Sequence, residues 1–116
     1  MVDPESLRKK EFRIIFNTEE GTAVFETPNI LGKLNCIIVD SNEKISFTID
    51  SKLGYCIYHT SEHSGINYYA PRAILRGQKL INFNLDSYDK FKLNEPLDIR
   101  VSGPKNTKIT MIIRVD

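Results

Sequence analysis

Apolar and polar side chains alternate with a period of two along most of this chain. The pattern is cleanest over residues 44–50, where Ile45, Phe47 and Ile49 alternate with Lys44, Ser46, Thr48 and Asp50. Successive side chains of a β-strand point to opposite faces, so this stretch predicts a strand with one buried and one wet face. The same reading predicts strands over residues 12–16, 22–27, 53–60, 66–70, 79–85, 96–102 and 107–115. Residues 34–40 differ, because Cys36 and Ile38 oppose Ile37 and Val39. Apolar side chains on both faces predict a central strand covered on both sides.

Turn-forming residues divide these runs. Asn17 to Gly21 reads as a turn, Pro28 and Asn29 stop the second run, and Ser41-Asn42-Glu43 reads as a hairpin-sized loop. Residues 61–65 form a polar loop, Pro71 closes the next run, and residues 86–90 read as a loop or a single helical turn. Around Gly103-Pro104-Lys105-Asn106, the closing stretch PLDIRVSGPKNTKITMIIRV predicts a hairpin. At the N-terminus, Asp3 as cap, Pro4 and Glu5 predict a short helix or arm over residues 1–10. Eight or nine short strands predict an all-β domain over residues 11–116, an antiparallel β-sandwich or a partly open barrel.

Composition narrows the function classes. A chain of 116 residues fits one domain, and 16 basic against 15 acidic side chains leave no excess for tracking phosphates. The one dense basic run, Arg8-Lys9-Lys10, reads as the solvated end of the arm, so nucleic acid is not expected as the main ligand. No apolar run approaches the ~20 residues that span a bilayer. MVDPESLRKK has no apolar segment of the kind a secretory signal carries, so synthesis in the cytoplasm is expected. Cys36 and Cys56 are then expected to be free, buried thiols.

Candidate chemistry concentrates in GYCIYHTSEHSGINYYAPR, which holds both histidines and four of the five tyrosines. Cys56, His59 and His63 loosely resemble half of a zinc site. Strand alternation, however, puts Cys56 with Tyr58 on one face and His59 on the other. Only His59 and His63 remain for a small metal-dependent enzyme, the least favoured alternative. Cys56 lies among Tyr and Ile, a setting that disfavours the thiolate a nucleophile needs. No G-x-S-x-G turn or glycine-rich phosphate loop is present, and nothing places Asp40, Glu43, Asp50, Asp86 or Asp89 across a cleft. No enzyme activity, cofactor or metal is therefore expected.

The tyrosines remain. If residues 54–60 and 66–70 pair as a hairpin, some of Tyr55, Tyr58, Tyr68 and Tyr69 meet across it. Tyr and Arg dominate protein contact surfaces, which makes Tyr58, Tyr68, Tyr69, Arg72 and Arg76 the candidate interaction surface, together with Arg8, Lys9 and Lys10 of the arm. The expected partner is protein, either further copies of this chain or a larger protein. A carbohydrate-binding β-sandwich with tyrosines stacked on sugar rings is the alternative, and the absence of Trp counts against it.

The SNEKISFTID strand, the YYAPR segment and the closing PLDIRVSGPKNTKITMIIRV stretch give the chain a resemblance to the small all-β structural proteins of tailed-bacteriophage virions: head-completion, connector, decoration and tail proteins. That resemblance implies a virion component that assembles into a ring or shell through strand edges and the N-terminal arm. It assigns no role to any residue.

Overall fold

The computed structural model describes residues 10–76 and 86–116, with residues 74–76 and 86–88 described by their backbone alone. All regular structure in these residues is β. The strands are β1 Glu11–Asn17, β2 Thr22–Glu26, β3 Ile30–Ser51, β4 Cys56–Tyr69, β5 Ala73–Arg76, β6 Asp86–Asp89, β7 Lys92–Glu95, β8 Leu97–Ser102 and β9 Lys108–Val115. Of the arm expected over residues 1–10 only Lys10 is described, and the strand expected over 79–85 lies outside the described residues.

The 22-residue β3 organises the sheet. Along one edge its residues 34–41 pair with β9 and its residues 46–51 pair with β8. Along the other edge β4 pairs with both halves. Next to β9 lies β1, and next to β8 lies β2. The sheet is thus four long tracks side by side: β1 with β2, β9 with β8, β3, and β4. All four bend where their ladders are interrupted, near one level, at residues 18–21, 103–107, 42–44 and 61–64 respectively. Residues 30–33 of β3 pair with β7, and the bent sheet comes close to closing on itself in a barrel-like form. β5 and β6 form a separate two-stranded ladder.

A bend takes backbone groups out of the ladder, and buried groups need new partners. Hydroxyl side chains supply them here. Thr18 Oγ1 and Thr107 Oγ1 both donate to the Pro104 carbonyl (2.6 and 2.7 Å), and Thr18 Oγ1 accepts from the Thr107 N–H. Ser41 Oγ donates to the Glu43 carbonyl and Thr60 Oγ1 to that of Glu62. Thr18, Thr107 and Ser41 are buried, so these bends belong to the core. Gly103 is required by space, because a Cβ there would meet Ile45 Cγ2 at 2.8 Å.

The predicted inward rows form that core. Ile45, Phe47 and Ile49 pack with Ile37, Val39, Leu97, Ile99, Val101, Ile109, Met111 and Ile113. Full burial of each such side chain stabilises by roughly 1.5–3 kcal/mol.

Several local expectations change. Ser41-Asn42-Glu43 does not reverse the chain; it is a bulge at the bend of one continuous strand. Residues 103–107 do not close a hairpin either, because β8 and β9 follow one another along β3. In the same way β4 is one bent strand where two strands and a loop were expected. Residues 86–89 are strand, held by pairing with residues 73–76. Turn-type residues mark every one of these places, but bends and bulges use the same residues as reversals do.

Candidate functional site

The bend in β4 brings Tyr58 and Tyr69 together on its inner face, with ring centroids 4.8 Å apart. They meet within one strand, not across the expected hairpin. Phe47 of the neighbouring β3 lies 5.9 Å from Tyr58, 5.5 Å from Tyr69 and 5.8 Å from His63. His63 is 2% exposed. Its Nε2 lies 3.0 Å from the Gly65 carbonyl, which can only accept, so Nε2 carries the proton. Nδ1 then accepts from the Tyr69 hydroxyl at 2.5 Å. Burial holds the His63 pKa below its ordinary value and pushes that of Tyr69 up. A neutral imidazole with both nitrogens engaged has no lone pair left for a metal or a substrate proton, so this cluster is a satisfied part of the core.

The C-x2-H-x3-H stretch is arranged otherwise than alternation predicts. Ile49 pairs with Tyr58 but Asp50 pairs with Cys56, which leaves Ile57 as the extra residue of a bulge. The bulge buries Ile57 and puts Cys56 on the same outer face as His59. His59 Nδ1 lies 2.7 Å from Thr48 Oγ1. His63, on the inner face, is the ligand candidate that stands apart. Among the described residues no group of three or more His, Cys, Asp or Glu could hold a metal ion. Cys56 is exposed and Cys36 half-buried, against the expectation of core thiols. Partial desolvation and the neighbouring Asp50 carboxylate push the Cys56 thiol pKa up.

The outer face of β4 carries the contrasting feature. Ile66 is 64% and Tyr68 70% exposed. Tyr68 pairs with Ile38, which pairs in turn with Ile112, so an apolar row crosses three strands. Ile38 is only 8% exposed on this outer side. One step along, Ile66 pairs with Asp40, which pairs with Thr110. Asp40, Asn42, Lys108 and Thr110 line a polar hollow of about 220 Å³ there. The strand itself borders only β3 among the described residues.

The remaining candidates scatter. Arg72 donates from Nη1 to the carbonyls of Asn35 (3.1 Å) and Pro71 (2.8 Å), which ties the end of β4 to β3. Lys10 is exposed beside β1, and its carbonyl accepts from the Val115 N–H. Arg8, Lys9 and the side chain of Arg76 lie outside the described residues. Tyr55 stacks on Phe91 (5.9 Å, 9°) at a groove of about 420 Å³ lined also by Ala73, Asp89, Lys90 and Lys92. Lys90 pairs with Asp116, and that hydrogen bond holds the Asp116 carboxyl below its ordinary pKa. Among the described residues no helix is long and apolar enough to cross a membrane.

Sequence reasoning selected Tyr68 but missed Ile66, Ile38 and Ile112. The signal for Ile38 was present in the apolar residues on both faces of 34–40. No protein-family model matches this chain, and no curated protein matches it.

Proposed function

We propose that this domain is a non-enzymatic structural or interaction module that assembles with itself or with a larger protein. One observation carries the reading: a long edge strand, β4, that pairs on one side only among the described residues and presents Ile66 and Tyr68 to solvent. Unpaired strand edges template strand addition, and exposed apolar rows mark docking faces. The inner cluster supports the same reading, since both His63 nitrogens and the Tyr69 hydroxyl are already used. A role in a bacteriophage virion is the form of assembly that the resemblance to virion proteins implies. A native mass spectrum of untagged protein under reducing conditions tests the proposal, because it reports stoichiometry and bound metal together. A metal-free closed oligomer is expected; a stoichiometric metal adduct on a monomer would contradict it.

A second reading, a ligand-binding domain, draws on the Tyr55–Phe91 groove. There two parallel rings and the exposed Lys92 offer a stacking platform beside a cation. A glycan screen with no hits at millimolar concentration sets aside its carbohydrate form.

A further inference from the structure

We infer that the partner at this edge is a second copy of the chain, joined by antiparallel pairing of β4 with its twofold mate about Asn67. The inference rests on the assembly reading above and names its occupant. In a twofold contact a charge on the axis faces its own copy, so the segment there must be free of charge. Gly65-Ile66-Asn67-Tyr68-Tyr69 meets that condition. The strand Cys56–Tyr69 has no Lys and no Pro; its one full charge, Glu62, and its bulge at Ile57 both lie before residues 65–69, so these devices do not protect that stretch of edge.

The register about Asn67 is self-complementary. Ile66 of each copy faces Tyr68 of the other on the outer face, an aromatic–β-branched pair of the favourable kind. On the inner face Asn67 meets Asn67, and Gly65 leaves room for Tyr69. The apolar row Ile112–Ile38–Tyr68 would then continue into Ile66 of the second copy, covering the two exposed large apolar side chains of this strand. The opposite edge is less suited, because β1 and β2 are interrupted by the excursion at residues 18–21 and bear Glu11, Arg13 and Glu26.

Facing residues across such a pair have Cα atoms about 4.5–5.5 Å apart, within the span that a disulfide bridges. The test is Asn67→Cys in a Cys56→Ser background under mild oxidation, with Glu20→Cys in the same background as an exposed control. Native mass spectra of wild type and Ile66→Lys from about 1 to about 100 μM accompany it. The expected result is a cross-linked dimer through position 67 alone, and an apparent Kd raised at least about tenfold by Ile66→Lys. An oligomer that survives Ile66→Lys and does not cross-link at 67 overturns this interface and leaves the assembly reading standing. A wild-type monomer at every concentration overturns the second copy as occupant and removes self-assembly from the reading altogether.

Discussion

The two faces of β4 are built from the same residue types and end differently. On the inner face His63, Tyr58 and Tyr69 pack on Phe47, and both imidazole nitrogens and the Tyr69 hydroxyl are paired. On the outer face Ile66 and Tyr68 lie open beside Ile38 and Ile112. An aromatic cluster in a sequence thus divides into a half that the fold uses and a half that it leaves available. Only the second half calls for a partner.

Substitutions should separate the two halves. The largest effect is expected for Phe47→Ala, which removes the ring that the inner cluster shares. It should destabilise by about 3–5 kcal/mol in chemical denaturation. Tyr69→Phe keeps the ring but leaves His63 Nδ1 without its donor, at an expected cost of about 1–3 kcal/mol. On the outer face, Ile66→Ser with Tyr68→Ser should change monomer stability by only about 0.5 kcal/mol per site, while weakening assembly. If the outer pair proved as destabilising as Phe47→Ala, the contrast between the faces would collapse.

Acid sharpens the same contrast. Burial holds His63 below the ordinary value of 6.5, so the unfolded chain binds its proton first as the pH falls. The contribution of neutral His63 is complete above about pH 6.5 and is lost as the pH drops through the folded value. The denaturation midpoint should therefore fall on the acid side of that point, and His63→Gln should flatten the slope. An unchanged slope in His63→Gln would show that the imidazole is not the titrating group.

Strand positions were legible in the sequence because alternation is local: Ile45, Phe47 and Ile49 face inward as the pattern says. Connectivity was not. Ser41-Asn42-Glu43 and Gly103-Pro104-Lys105-Asn106 have the chemistry of reversals, yet they mark bends at which the chain keeps its direction. What distinguishes them is long-range: Thr18 on one track reaching Pro104 on the next. The face of Cys56 was misread for a related reason, since one bulged residue, Ile57, puts Cys56 out of phase with Tyr58 and His59 just beyond it. The tyrosine cluster was found, but its division into a used and an unused face depends on that register.

Amide hydrogen exchange at residues 65–69, measured at low and high protein concentration, tests the central claim most directly. Residues 22–26 on the opposite edge serve as the internal comparison. The account predicts that exchange at 65–69 slows as concentration rises while exchange at 22–26 stays the same. Equal exchange at 65–69 at both concentrations would contradict it.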